Sequence, residues 1–279
     1  MSEEAVIART PAPGTITSLA GDLRLLGVEP GMALLVHSSL SALGWVCGGP
    51  VAVVRALMDV LTPSGTLVMP AHCANLSDPA RWQNPAVPPE WVPVIRATMP
   101  AFEPRLTPTY FMGQVAETFR TWPGVVRSVH PHNSFVAWGR HAERITSGHA
   151  LDYSLGDGSP LARLYDLEGS VLLLGVGYDS NTSFHLAEYR VPDARETEHG
   201  APILVDGQRV WTTFRDIVLD EEPFVTIGQD LERERPGVVR QGQIGRAEAR
   251  LFRQRPAVDY AVLWLQCNAG SLRHRCRAG

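Results

Sequence analysis

The chain has 279 residues, enough for one large domain or two small ones with an ample core. It is 44% hydrophobic and 19% charged, and no apolar run approaches the roughly 20 residues needed to span a bilayer. A formal net charge of −4 argues against a general nucleic-acid binder, which needs a basic face. All 25 basic residues are arginine, a bias attributed here to genome composition.

In chain order, Thr15 to Gly27 reads as a first helix, with Thr15 as cap and Gly27 as stop. Met32 to Ser39 reads as a strand, and Pro50 to Leu61 as a helix with proline in its first turn. Gly65 to Pro70 is a second strand. From Ala71 to Thr109 the pattern dissolves into Pro, Trp and polar residues, and residues 71–110 are taken as a substrate-cleft insertion. Gly113 to Trp122 reads as a helix, Ser134 to Trp138 as a strand and Ser159 to Glu168 as a helix. Ser170 to Val176 is the most apolar strand. Asp206-Gly207 between two apolar runs signals a tight hairpin, and Ala257 to Gln266 the final helix. The expected fold is α/β: a mixed central sheet flanked by helices, a long irregular insertion and a C-terminal β-hairpin/helix region. One domain over residues 1–267 is expected, with an Arg-rich, disordered tail over 268–279.

The cysteines are Cys47, Cys73, Cys267 and Cys276, with no Cys-x-x-Cys pair, so zinc-site spacing is absent. Nothing at the N-terminus reads as a secretory signal. Reduced thiols and a cytoplasmic location are expected.

The densest chemistry follows Val171-Leu172-Leu173-Leu174, in the run from Gly175 to Arg190. Asp179, Ser180, Asn181 and Thr182 are candidate caps for a helix carrying His185 and Glu188. Those two stand three apart and share a helix face. Asp179 could also fold back on the imidazole, so either carboxylate could orient His185. The same residues equally fit a loop that only caps a helix, with His185 a satisfied buried histidine.

This stretch resembles the aminoglycoside 3-N-acetyltransferases, an acetyl-CoA-dependent antibiotic-modifying family marked by a Leu-Leu-Leu-Gly-Val-Gly strand leading into a His-x-Ala-Glu helix. Further segments follow in the family's order. They are Val36 to Gly44 with Gly48-Gly49-Pro50, Gly65 to Pro70, Pro123 to Pro131 with Ser134-Phe135, Gly158 to Arg163, Ile203 to Gly207 and Ala247 to Phe252. The resemblance covers roughly residues 16 to 265.

It implies N-acetylation of the 3-amino group on the deoxystreptamine ring of aminoglycoside antibiotics, conferring resistance, by direct transfer without a metal. His185 would be the general base, since a histidine titrates near neutral pH, with Asp179 or Glu188 fixing its tautomer. Thr182 and the helix-start N–H groups are candidate oxyanion donors. The resemblance also places coenzyme A at the early segment, on Ser38, Ser39, Leu40, Gly44, Gly49 and Ser134. Small residues there admit close backbone approach, and a helix N-terminus favours phosphate. A polycationic acceptor needs carboxylates and hydroxyls. The insertion supplies Asp78, Glu90, Glu103 and Tyr110, and Asp152, Tyr153 and Asp157 form a second cluster. Asp78, Glu103, Tyr110 and Asp157 are taken as acceptor contacts. Neither membrane nor nucleic acid is expected as partner, and the chain is expected to be a monomer or homodimer.

The alternatives are a related acyl-CoA-dependent N-acyltransferase acting on another amine in biosynthesis, a hydrolase or metal enzyme built on His185 and Glu188, and a protein that sequesters the antibiotic. His-x-x-Glu lacks the second helical histidine of the zinc protease motif, which disfavours the metal enzyme.

Overall fold

The computed structural model describes residues 2–192 and 194–268. The N-terminal half runs α1 (Glu3–Ala8), α2 (Ile16–Leu26), β1 (Ala33–Ser38), α3 (Gly49–Leu61), β2 (Thr66–Pro70), α4 (Val92–Thr98), α5 (Gly113–Arg120), β3 (Val126–Arg127) and β4 (Phe135–Gly139). There follow α6 (Ala142–Thr146), α7 (Pro160–Asp166), β5 (Ser170–Leu174), α8 (His185–Glu188), β6 (Glu196–Val205) and β7 (Gln208–Ile217). The chain closes with α9 (Phe224–Glu234), β8 (Val239–Ile244), β9 (Ala247–Arg253) and α10 (Gln254–Asn268).

Seven strands form one mixed sheet in the order β3-β4-β2-β1-β5-β9-β8, and β6-β7 stand apart as a hairpin. The three central strands β2, β1 and β5 are parallel, while β4 on one side and β9 on the other pair antiparallel. Buried on both faces, these strands read as near-continuous apolar runs. Alternate residues serve opposite layers. Leu34, Val36, Leu172 and Leu174 face α2, α3 and α5, while Leu35, Val171 and Leu173 face α7, α9 and α10.

Local chemistry explains the ends that the sequence foretold. Thr15 and Ser18 form a reciprocal capping box on α2, and Gly27 closes it in the left-handed conformation. Asp206 and Gly207 both take positive φ, as a two-residue hairpin turn of this type requires. The hairpin they close is longer than the sequence suggests, pairing Glu196 with Ile217 at its far end. The irregular stretch 71–110 holds three 3₁₀ turns and α4. It is anchored to the hairpin: Phe102 N donates to Pro202 O at 2.9 Å, and Arg209 Nε donates to Met99 O at 2.6 Å.

Several differences are plain. The sequence reading assigns no secondary structure to α1, α9 or β8. The last helix extends to Asn268, so that residue belongs to a helix and not to the tail; the rest of the expected tail, 269–279, lies outside the described residues. Cys47 and Cys73 are free thiols but Cys267 is disulfide-bonded, against the expectation of reduced thiols throughout. No described helix is long and apolar enough to cross a membrane.

Candidate functional site

The chain leaves β1 through α3 to reach β2, while β5 lies on the other side of β1. In open α/β sheets such a switch point leaves a crevice outside the carboxyl ends of the strands. A cleft of about 890 Å³ occupies that place. Ser38 and Ser39 after β1, Pro70 and His72 after β2, and Val176 after β5 all line it.

Gly175 makes this convergence possible. Its φ is +71°, and an added Cβ would stand 2.5 Å from the Ala42 Cβ. Only glycine lets β5 end in so tight a turn against the Leu40–Leu43 segment. The chain then makes two 3₁₀ turns, with Asn181 capping the second, before the single turn of α8 presents His185 to the cleft.

His185 Nδ1 lies 2.5 Å from Glu188 Oε2, and the other Glu188 oxygen accepts from Asp220 N at 2.8 Å. Glu188 is 8% exposed and thus held at both oxygens. The imidazole packs edgewise on Phe224, with centroids 4.8 Å apart. With Nδ1 donating to the carboxylate, Nε2 is left as the acceptor. Of the two carboxylates the sequence offers, Glu188 orients the ring. Asp179 lines the cleft and makes no hydrogen bond to His185.

Two more histidines, which sequence reasoning missed, stand beside it. His37 and His72 line the same cleft, and the Nε2 atom of each is buried without a partner. Burial, then the charge of nearby His185, pulls both down to about 3 from 6.5, so both are neutral at physiological pH. His37 lies in the resemblance segment and was readable there. His72 had no signal beyond its place at the end of a strand.

The remaining candidates divide. Ser38, Ser39, Leu40, Gly44 and Gly49 line the cleft. α3 begins on Gly48 with no side-chain cap, so its first-turn N–H groups lack a side-chain partner. Ser134 is fully buried elsewhere, donating to Ala71 O at 2.7 Å and accepting from Arg127 Nε.

Among the acceptor candidates, Asp78 is bidentate to Arg96 and caps a 3₁₀ turn. Asp157 has a 78% exposed side chain paired with Arg190. Neither these two nor Glu103 lines the cleft. Tyr110 stacks edgewise on Phe111, which does, at 4.3 Å. The carboxylates the fold does bring to the cleft are Asp179, Glu221 and Glu3. The acidic run Asp220-Glu221-Glu222 was the available signal for the second. Among the described residues no group of three or more His, Cys, Asp and Glu is arranged to hold a metal ion.

Residues 35–266 match the family model described as aminoglycoside 3-N-acetyltransferase. The chain is 49% identical over 260 residues to the SPbeta prophage-derived aminoglycoside N(3')-acetyltransferase-like protein YokD of Bacillus subtilis (strain 168), covering 93% of this chain and 95% of that protein. The crystal structure of YokD matches with a TM-score of 0.94, covering 96% and 99% of the two chains. Aminoglycoside N(3)-acetyltransferase VII of Streptomyces paromomycinus is 37% identical, covering 97% and 98%. The structure of AAC-IIIb as a binary complex with CoASH matches with a TM-score of 0.83 at 34% identity, covering 93% and 99%.

Proposed function

This chain belongs to the aminoglycoside 3-N-acetyltransferase family, and from that premise we propose that it transfers the acetyl group of acetyl-CoA directly to the 3-amino group of an aminoglycoside, with His185 as general base. The observation that carries the proposal is the His185–Glu188 pair at the cleft, which fixes one ring nitrogen and leaves the other as acceptor.

Coenzyme A binding by the similar AAC-IIIb supports acetyl-CoA as donor. The cleft volume, the uncapped start of α3 and the unpartnered His37 Nε2 suit a long ligand with phosphates at one end and a carbonyl at the other. Ser38, Ser39, Leu40, Gly44 and Gly49 would line its course. An ammonium cannot attack a thioester, so the amine must lose a proton. His185 Nε2 takes that proton as the N–C bond forms, and returns it to the thiolate released when the C–S bond breaks. Glu188 stabilises the imidazolium in between. Because His37 and His72 stay neutral, neither repels that positive charge. Thr182 lines the cleft as a donor for the carbonyl oxygen.

Asp179 and Glu221 would face the acceptor's ammonium groups. Tyr110 stands at the rim, and Asp78, Glu103 and Asp157 outside it. Thiol release measured with acetyl-CoA across a panel of aminoglycosides tests the reaction. NMR of the product reads the acetylated nitrogen. Absence of turnover, acetylation at another nitrogen or loss of activity to a chelator would refute it.

A further inference from the structure

The His185–Glu188 dyad gets little support from its own element, because α8 is a single turn of four residues. Its support comes from the segment that opens α9. Asp220 N donates to Glu188 at 2.8 Å, and the Phe224 ring lies against the imidazole.

α9 turns one face toward the run from Tyr178 to Glu188. Phe224, Gly228 and Glu232 stand four residues apart and so form a single stripe on that helix. Phe224 meets His185, with ring centroids 4.8 Å apart. Gly228 meets Tyr178, and Glu232 accepts from the Tyr178 hydroxyl at 2.8 Å. Glycine is disfavoured in a helix interior, and the backbone of Gly228 lies outside the left-handed region, so conformation does not demand it. The Tyr178 ring does: a Cβ added at Gly228 would stand 2.1 Å from the Tyr178 Cγ.

The stripe is anchored at its far end. Glu232 also accepts from Arg250 Nε on β9 at 3.0 Å and from Gln241 Nε2 on β8 at 2.7 Å. Between the two ends the rings are continuous. Tyr178 stacks on Phe184 at 6.0 Å, and Phe184 meets Phe224 edge-on at 5.5 Å. Phe184 and Phe224 are both fully buried, and close packing of this kind leaves a ring little freedom to turn.

Resting on the general-base reading above, we propose that Phe224 is a positioning residue for His185, and that the seat of Tyr178 on Gly228 sets where Phe224 stands. Phe224 touches no substrate; it acts by holding the imidazole so that Nε2 points into the cleft. Misplacing that nitrogen costs rate without costing affinity for either substrate.

Phe224→Leu keeps an apolar side chain and removes the ring, while Gly228→Ala drives a methyl into the seat of Tyr178. Each should lower kcat about tenfold and leave KM for acetyl-CoA and for the aminoglycoside within about twofold. Proton–nitrogen correlation spectra of the histidine rings in the ligand-free protein give a reading that a general loss of packing would not move. The His185 signals are assigned by their loss in His185→Ala. Wild type should carry the proton on Nδ1, and both variants should show a mixture of the two tautomers. Should either variant fail to fold by circular dichroism, Phe224→Met, which fills the space without a ring, is held to the same readings. Near-native kcat, or lowered turnover with the wild-type His185 tautomer intact, would overturn the inference. If His185→Ala itself kept wild-type turnover, the functional reading would fall, and the spectra alone would decide whether the stripe fixes the ring.

Discussion

Lowering the pH from 7.5 to 5 should unfold this protein at much lower denaturant, through its buried histidines. His37, His130, His132 and His149 are all at least nine-tenths buried. Burial holds His132 and His149 at about 4, His37 at about 3, and His130 well below the ordinary 6.5. His130 shows why. The backbone N–H groups of His132 and Asn133 both donate to its Nδ1, and its Nε2 lies 3.1 Å from Leu151 O. An added proton has nowhere to go without breaking those bonds. His149 is held similarly, between the Ser128 hydroxyl and Ser154 O.

Well above pH 6.5 these imidazoles are neutral in both states. As pH falls from there to about 4, the unfolded chain binds protons that the fold refuses, and stability is lost. At pH 5 each group costs about 2 kcal/mol, and the four together on the order of 6–8 kcal/mol. A typical domain has about 5–15 kcal/mol in all. Urea unfolding followed by tryptophan fluorescence at half-unit steps reads the loss directly. His130→Gln should be less stable at pH 8, yet lose stability with falling pH about one proton less steeply. A midpoint constant between pH 7.5 and 5 in the wild type would refute the reasoning.

His185→Ala should lower kcat by roughly two to four orders of magnitude while calorimetry still detects coenzyme A binding; near-native turnover would remove His185 as the base. Gly175→Val, forced to φ +71° with its Cβ against Ala42, should destabilise by more than about 2 kcal/mol and impair turnover, read by thermal melting and thiol release. Asp216 is buried and accepts from Ser154 Oγ at 2.6 Å, the Tyr189 hydroxyl and its neighbour Ile217 N. Asp216→Ala should therefore cost about 2–4 kcal/mol in urea unfolding at pH 8. Asp179→Asn and Glu221→Gln should raise KM for the aminoglycoside several-fold, whereas Asp78→Asn, Glu103→Gln and Asp157→Asn should leave it within about twofold; the reverse pattern in steady-state kinetics would move the acceptor site to the insertion.

The sequence by itself determined what depends on near neighbours. The apolar runs of β1, β2 and β5 announce buried central strands. Thr15 with Gly27, and Asp206 with Gly207, fix the ends of α2 and the hairpin turn by local hydrogen bonding and backbone freedom alone. His185 and Glu188, three residues apart on one helical turn, were legible as a pair for the same reason.

Tertiary structure decided what depends on distant segments meeting. That Glu188 and not Asp179 holds the imidazole follows from Asp220, thirty-two residues on, clamping the second oxygen. His37 and His72 become neutral companions of His185 only because β1 and β2 end beside α8. Asp78 of the insertion and Asp157 of the second acidic cluster read alike as partners for a cationic ligand, and only the fold pairs Asp78 with Arg96 and Asp157 with Arg190. Sequence spacing encodes contacts within a turn or two, whereas the partners of a charge across the fold are set by sheet order and close packing.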